Sequence, residues 1–452
     1  MRSCPCNGQV FRRAFAGALP LLLCLSSPSV ADTLPEPAAE SVASPPANAP
    51  LTLQACRQIA LGQQPALAAT RASVKAAIDR ASALDNLRVP NFLARDLPIR
   101  RKQAALGVTI AQGGIIQAES ETLYGVTFSY LAALHAAQQI KTANGQIRGR
   151  LKDLLTLVSD PAVQKGRRDV VLPQHQNLVK SFLETLEGRA QEGAQGQQRA
   201  LAALREAMGV GPDFVVALPD RDLPCPRDKP QLDELVALAL ARRAEIIQAS
   251  TLAQVICLEI DAQASSNCRP NMRTFASGSD IHAKPIPSGD MGGVNYRPAI
   301  VGPEMPPFLS GSREARVQQA HDYYERAQAV AVKTRNLIAL EVEDLYRRWL
   351  DKSEKAEHVR SAYLESRKFS DKLKNSFNKQ ERGSYPNLDE IINAGLLTTR
   401  LQLEWKDAHY QALQALAALE RATAGGFHVD FDAAPPCASE PKEEADESVE
   451  KP

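Results

Sequence analysis

Apolar and small residues recur at spacings of three and four along the second half of the chain, starting at Arg316. This spacing is typical of a helix with a single apolar seam, as in a coiled coil. Thr334 and Lys352 are polar interruptions, and no proline occurs between Gly311 and Pro386. The pattern predicts one helix of roughly 65 residues, about 100 Å long at 1.5 Å per residue. The seam positions are Val317, Ala320, Tyr324, Ala327, Ala331, Ile338, Val342, Leu345, Trp349, Ala356, Val359 and Tyr363.

A second helix is predicted over residues 388–424, after a turn near Gly383, and it would fold back along the first as an antiparallel hairpin. The first half of the chain has a similar pattern. There we predict a long helix over residues 112–158, a turn around Gly166 and a return helix over residues 170–208. Before each hairpin, the segments that begin at Leu51 and Pro230 each continue as an Ala-rich helix.

The two halves share landmarks in one order, which predicts a tandem duplication. The distance between matched positions grows by about 36 residues, from 179 or 180 early in the halves to about 216 later. The second half therefore has an insertion after its first helix. The matched pairs are Leu53 with Leu232, Pro90 with Pro270, Tyr130 with Tyr346, Gly166 with Gly383, and LAALREA at 201–207 with LAALERA at 416–422.

These patterns predict a mainly α fold of two tandem repeats of long antiparallel coiled-coil helical hairpins, with a short β or irregular insertion that is larger in the second repeat. The order of segments follows from the landmarks and from composition. It is a signal peptide at 1–31, a Pro/Ala-rich linker at 32–50, a first helical repeat at 51–218, an inter-repeat linker at 219–229, a second helical repeat at 230–427 with its insertion at 268–312, and an acidic disordered tail at 428–452.

The N-terminal segment predicts export. Arg12 and Arg13 precede the apolar run AFAGALPLLLCL, which is too short for a stable bilayer span, and cleavage is expected after Ala31. An uncleaved anchor is the alternative. Lipidation at Cys24 is disfavoured because the large Leu23 precedes it.

Composition and motifs argue against several classes of function. The formal net charge of +1 gives no general electrostatic basis for nucleic-acid binding. The sequence has no GxxxxGK[ST], GxSxG or strand-GxGxxG-helix motif, so we expect no enzyme and no cofactor. The seven histidines form no metal-binding pattern, and the acidic residues Glu341, Glu343 and Asp344 indicate a solvated helix face.

Five cysteines follow the signal segment, an odd and scattered set with no zinc-site spacing. A single disulfide that uses Cys225 is an alternative that the sequence leaves undecided. The five are Cys56, Cys225, Cys257, Cys268 and Cys437.

The arrangement resembles the TolC-like outer membrane efflux protein family. The resemblance rests on the stretch RRAEIIQASTLAQVICLEIDAQASSNCRPN at 242–271, on FLSGSREARVQQAHDYYERA at 308–327, and on the paired tips at Gly166 and Gly383. It implies a homotrimer whose helices form a tunnel capped by an outer-membrane β-barrel, with a periplasmic adaptor and an inner-membrane transporter as partners. Such a chain is a passive conduit in the outer membrane and periplasm.

Two groups of residues are candidate interaction sites. The resemblance implies that the hairpin tips contact the adaptor, although each tip is also explained as a plain turn. A basic group lies where the first repeat would approach the membrane and could contact anionic lipid head groups, or it could simply close the end of the helical tunnel. The tip residues are Lys165, Gly166, Arg167, Arg168, Arg382, Gly383, Ser384 and Tyr385, and the basic group is Arg95, Arg100, Arg101 and Lys102.

The insertions depart from the family. Residues 91–114 barely accommodate two membrane-crossing strands of about 9 to 11 residues each. Residues 276–312 are longer but contain six prolines, which are excluded from central strands. The alternative function is therefore a periplasmic coiled-coil scaffold of the same fold that has no functional pore.

Overall fold

A computed structural model describes residues 50–90, 92, 94–159, 173–226, 229–265, 309–378, 388–435 and 437. Most of the described residues form α-helices, and one segment is π-helical. The helices are α1 Leu53–Gln63, α2 Pro65–Asp85, α3 Leu97–Lys141, the π segment Thr142–Ile147, α4 Arg148–Ser159, α5 Pro173–Met208, α6 Leu232–Arg242, α7 Ala244–Ser265, α8 Arg313–Asn378 and α9 Leu388–Ala422.

The hairpin predicted for the second half is confirmed. Helix α8 has 66 residues and α9 has 35, and they form the most extensive helix pair of the described structure. Most of the predicted seam faces the protein interior, including Ile338, Val342 and Tyr363. Thr334, which interrupts the apolar pattern, is nevertheless buried. Its burial is tolerated because its hydroxyl donates to the Val330 carbonyl oxygen at 2.8 Å and so does not need water as a partner.

In the first half, α3 begins fifteen residues earlier than predicted, at Leu97 instead of Gln112. The stretch at 91–114, which barely accommodates two strands, is helical from Leu97 onward, so the short β or irregular insertion of the first repeat does not extend past that residue. The physical reason is composition, because PIRRKQAAL contains mainly strong helix formers and Pro98 occupies the first turn, where proline is tolerated. Helix α5 then packs along α3.

The Ala-rich helices that precede the hairpins do not run through without interruption, contrary to the sequence prediction. Gln64 separates α1 from α2 with φ −65° and ψ 119°, and Arg243 separates α6 from α7 with φ −62° and ψ 126°. The backbone N–H of each still donates to the carbonyl oxygen four residues back, Ala60 or Ala239. The two breaks therefore have the same geometry.

The main core lies where α1, α3, α5, α6, α8 and α9 meet. Burying each large aliphatic side chain there contributes about 1.5–3 kcal/mol. Its fully or nearly fully buried members include Leu53, Val126, Tyr130, Leu134, Leu204, Met208, Ile338, Val342, Leu413 and Leu419.

The chain stays ordered just beyond α9, and this corrects only the first residues of the tail predicted at 428–452. Val429 and Phe431 are each only 1% exposed in the main core. The carboxylate of Asp432 accepts the N–H groups of Leu53, at 3.3 Å, and Gln54, at 2.9 Å, at the start of α1. Two apolar residues and a helix cap therefore fix the start of a segment whose composition is otherwise polar. Residues 438–452 lie outside the described residues.

A disulfide joins Cys225 to Cys437, so the bridge left open at Cys225 is present. Beside it, the Cys225 N–H donates to the Pro435 carbonyl oxygen at 2.8 Å, and the Cys437 N–H donates to the Leu223 carbonyl oxygen at 3.4 Å. The two segments are therefore held together by backbone hydrogen bonds as well as by the disulfide.

Several predictions lie outside the described residues, namely the signal peptide, most of the N-terminal linker, nearly all of the insertion at 268–312 and the hairpin tips. Among the helices that the structure does describe, none combines the length and the apolar character needed to cross a bilayer.

Candidate functional site

Of the two predicted interaction sites, only the basic group lies within the residues that the structure describes. All the tip residues, 165–168 and 382–385, lie outside the described residues. The basic group is described, and its members do not share one surface. Arg95 and Lys102 are exposed, Arg101 is half-buried and Arg100 is only 1% exposed.

Arg101 holds the end of α2. Its guanidinium donates to the Leu84 carbonyl oxygen at 3.0 Å, to that of Asp85 at 3.1 Å and to that of Leu87 at 3.0 Å. The last carbonyl groups of a helix lack their usual partners four residues further on, so a cation is favourable at this helix end.

Arg100 is the centre of a buried polar cluster, the Arg100 cluster, which links α3, α7 and α8. Its guanidinium pairs with the Asp96 carboxylate at 3.2 Å and with both carboxylate oxygens of Glu259. The side chain of Gln103 donates to Glu259 at 2.9 Å, and that of Gln263 donates to Glu259 at 2.6 Å. On α8, Arg316 donates to the Gln263 amide oxygen at 2.9 Å.

Among the described residues, the Arg100 cluster contains two arginines and two carboxylates, whose formal charges balance. A buried charge is tolerated when it is paired and its remaining hydrogen-bonding groups are satisfied. The predicted contact with lipid head groups therefore has only Arg95 and Lys102 as exposed cations in this group.

A second buried cluster, the Arg243 cluster, lies at the break between α6 and α7. Arg243 pairs with Glu245 at 2.6 Å and with Glu341 at 3.1 Å. Glu341 also binds Arg421 at 2.6 Å, and Arg421 binds Glu121 at 3.1 Å. Burial alone would lower the pKa of Arg243, but Glu341 and Glu245 outweigh burial, and the pKa is raised. The arginine is therefore firmly cationic.

Glu341 corrects the prediction of a solvated acidic face. It is only 6% exposed and receives two arginines, whereas its neighbour Glu343 is exposed as expected. The sequence offers no direct sign of this difference, because the partners Arg243 and Arg421 lie on other helices. A weak signal is available in the spacing, because Glu341 lies three residues after the seam residue Ile338 and four before the seam residue Leu345.

In each half, the residue at the helix break donates a side-chain hydrogen bond to the end of the return helix. The Gln64 side chain donates to the carbonyl oxygens of Glu206, at 3.0 Å, and Ala207, at 3.1 Å, at the end of α5. The Arg243 side chain donates to the Ala422 carbonyl oxygen at 3.3 Å, at the end of α9.

Both return helices end in a left-handed residue, Gly209 with φ 72° after α5 and Ala424 with φ 48° after α9. The next N–H then closes the helix end, from Val210 to the Arg205 carbonyl oxygen at 3.0 Å and from Gly425 to that of Glu420 at 3.1 Å. This is the hydrogen bond of a Schellman motif, which normally favours glycine at the left-handed position.

Two concave features accompany these clusters. A cavity of about 140 Å³ lies between α3 and α9, lined by Arg57, Tyr124, Thr127, Glu420 and Arg421 among others. A larger groove of about 480 Å³ lies between α4, α5 and α9, with Phe182, Leu186 and Leu403 in its wall. Pockets for drug-sized ligands usually enclose about 300–1,000 Å³, so the groove reaches that size and the cavity does not.

The π segment marks a further buried charge. Lys406 of α9 is 8% exposed, and its ammonium donates to the Thr142 hydroxyl at 3.0 Å. Burial lowers the pKa of Lys406, and nearby Lys141 lowers it further, whereas Asp222 opposes the shift. One residue further on, Asp407 lies 3.3 Å from the His135 ring, which stacks on Tyr410.

Comparison with solved structures finds proteins that share this arrangement. A membrane protein from Pseudomonas aeruginosa superposes with a TM-score of 0.60 at 16% identity, covering 85% of this chain and 99% of that one. The outer-membrane channel OprN gives 0.62 at 14% identity, covering 82% and 90%. The outer membrane protein VceC from Vibrio cholerae gives 0.59 at 16% identity, covering 83% and 97%.

No protein-family model matches the sequence, and a search of curated proteins also finds no match. At these low identities the structural similarity establishes the fold, over most of this chain and nearly the full length of the compared chains.

Proposed function

Because the fold of this chain is that of the TolC-like outer-membrane channels, we propose that it is the channel component of a TolC-type efflux or secretion system, located in the outer membrane and periplasm. The observation that carries the proposal is the superposition of this chain, with its long helical hairpins, on up to 99% of the length of a compared chain. The predicted signal segment at 1–31 agrees with this location.

The proposed assembly is a homotrimer that works as a passive conduit. A periplasmic adaptor would dock on it, and an inner-membrane transporter would supply the energy, since the sequence contains no nucleotide-binding motif. Catalysis forms no part of the proposed role.

The buried clusters fit a role in positioning the helices of such a conduit. The Arg243 cluster joins α3, α7, α8 and α9 through Glu121, Glu245, Glu341 and Arg421. An ion pair of this kind works only in one register, because a shift by one residue leaves a buried charge without its partner. We infer that the two clusters fix how the long helices align within one protomer.

The test is single-channel conductance of the purified full chain in planar lipid bilayers, with its mass in detergent measured in parallel. Discrete channels from a trimer are expected. A chain that stays in solution without detergent and never conducts would contradict the conduit and favour the periplasmic scaffold. That alternative is supported by the six prolines within residues 276–312 and by the helical start of α3 at Leu97.

The hairpin tips are proposed as the adaptor-docking surface. Replacing Arg167 and Arg168 by glutamate should reduce chemical cross-linking to an adaptor, because two positive charges become negative. Replacing the exposed Lys102 by glutamate is the matched control, since it changes charge far along the chain from the tips. Cross-linking that is unchanged in the double variant would remove the tip residues from the interface.

A contact of the basic group with anionic lipid is also proposed, now through its exposed members. Replacing Arg95 and Lys102 by glutamine should weaken binding to anionic liposomes without disturbing the Arg100 cluster. Unchanged liposome binding would leave these residues as part of a connection that closes the end of the helices.

A further inference from the structure

Three residues with metal-binding side chains meet outside the clusters described above. They are Cys225 in the connection between the two halves, His409 on α9 and Cys437 after α9. Their ligand atoms all lie within 4.8 Å of one another, and each residue is half-buried. The three come from distant parts of the sequence, so no spacing motif reveals them.

The distances suit a small tetrahedral centre. The His409 Nε2 atom lies 3.5 Å from the Cys437 Sγ atom. Ligands bound to one tetrahedral zinc ion, at about 2.3 Å for sulfur and 2.0 Å for nitrogen, are themselves about 3.5 Å apart. The His409 nitrogen already has this spacing from the Cys437 sulfur atom. The two sulfur atoms, which are now bonded to each other, would need to move apart to reach it.

We propose that Cys225, Cys437 and His409 form a redox-gated site for a thiophilic cation such as Zn²⁺. In the oxidised chain the two cysteines are a disulfide. Two thiol molecules reduce it, becoming one disulfide themselves and leaving two cysteine thiols on the protein. These thiols lose two protons as they bind the cation. The ring proton that Nε2 of His409 donates to the Pro224 carbonyl oxygen moves to Nδ1, so that Nε2 can bind the cation as part of a neutral imidazole. The metal and the disulfide therefore exclude each other.

The site remains assembled when the disulfide is broken, because other contacts hold its two segments. The backbone hydrogen bonds between Cys225 and Pro435 and between Cys437 and Leu223 do not involve sulfur. Phe431 is buried, and Asp432 pairs with Arg221 at 2.8 Å. Reduction should therefore leave the thiols facing each other beside His409.

The ligand chemistry selects the class of cation. Two thiolates and an imidazole suit zinc and similar soft or borderline ions, whereas calcium and magnesium prefer oxygen. Three protein ligands leave a fourth position open. The Pro224 carbonyl oxygen is close by, 2.9 Å from Nε2, where in the oxidised chain it accepts the ring N–H.

The test uses Co²⁺ as a spectroscopic probe on the full chain. The protein is reduced with a phosphine, which is then removed without oxygen, and Co²⁺ is titrated. We expect one cobalt ion that shows sulfur-to-cobalt charge transfer and is displaced by Zn²⁺, and no such band for the oxidised chain. His409→Gln should weaken binding by more than about tenfold. His358→Gln, exposed on α8, is the matched control and should not change it.

A second measurement assigns the ligands without any substitution. In the reduced chain, Zn²⁺ should protect Cys225 and Cys437 from alkylation, as read by peptide mass spectrometry, but not the exposed Cys257. Equal alkylation of all three with and without Zn²⁺, or a cobalt band that survives Cys225→Ser with Cys437→Ser, would overturn the proposal. Neither readout depends on channel activity, so the inference stands or fails separately from the proposed function.

Discussion

Gln64 and Arg243 lie 179 positions apart, and each breaks a helix and caps the end of a return helix with its side chain. The proposed duplication predicts such a correspondence, since Leu53 and Leu232 are separated by the same distance. The two caps differ in charge. The neutral Gln64 needs no counter-ion, whereas the buried Arg243 is accompanied by Glu245 and Glu341.

The left-handed residues after α5 and α9 should respond differently to substitution. A Cβ on Gly209 would lie 2.6 Å from the Gln64 Cα atom, so Gly209→Ala adds a clash to left-handed strain. We expect a loss of at least about 2 kcal/mol in the free energy of unfolding. Ala424→Gly relieves strain and should gain less than about 1 kcal/mol. Chemical denaturation of both variants checks this, and equal effects would contradict the close packing at Gln64.

Removing Glu341 should be costly, because it leaves Arg243 and Arg421 without a shared buried partner. Glu341→Gln is expected to destabilise the chain by about 3–5 kcal/mol. The matched control is Glu343→Gln on the exposed face of the same helix, with an expected change within about 0.5 kcal/mol. Similar denaturation midpoints for the two variants would show that the ion pairs of Glu341 do not contribute to stability.

Loss of the disulfide should destabilise the chain, because the bridge closes a long loop between cysteines with a sequence separation of 212. Cys437→Ser is expected to lower the free energy of unfolding by about 2–5 kcal/mol when measured with a metal chelator present. Cys257→Ser, at an exposed free cysteine, should leave it unchanged. An unaltered midpoint for Cys437→Ser would mean that the paired segments are held by their other contacts.

Lys406 should make stability depend on pH. Its pKa is lowered in the folded chain, chiefly by burial, so at alkaline pH the unfolded chain binds more protons than the folded chain. The contribution of Lys406 to stability therefore becomes more favourable as the pH rises towards its ordinary value of 10.5. Relative to Lys406→Met, the wild type should gain stability over this window. If the difference in unfolding free energy between the wild type and Lys406→Met does not change with pH, the ammonium group of Lys406 is in contact with water and its pKa is not lowered.

The long helices could be predicted because their signal is local. The seam of α8 repeats every three or four residues, and the absence of proline fixed its length to within a few residues. The start of α3 was missed for the opposite reason. The expectation of strands came from the family resemblance, and it outweighed the helix propensity of the residues after Pro98.

The buried clusters could not be predicted, because their partners are distant in sequence. Glu341 lies 80 residues from Arg421 and almost 100 from Arg243, and an acidic residue beside a seam usually faces water. The ordered segment after α9 was missed similarly. Two apolar residues in an acidic stretch are a weak signal, and only the fold shows that Phe431 enters the core.

The bridge between Cys225 and Cys437 makes one covalent ring of the chain from the inter-repeat connection to the end of the second hairpin. A protease that cuts once anywhere inside this ring opens it without releasing a fragment. The nicked protein would migrate as a single species under non-reducing conditions and separate into two pieces after reduction. The second hairpin can therefore be cleaved at its tip and still keep both of its helices attached to the first half.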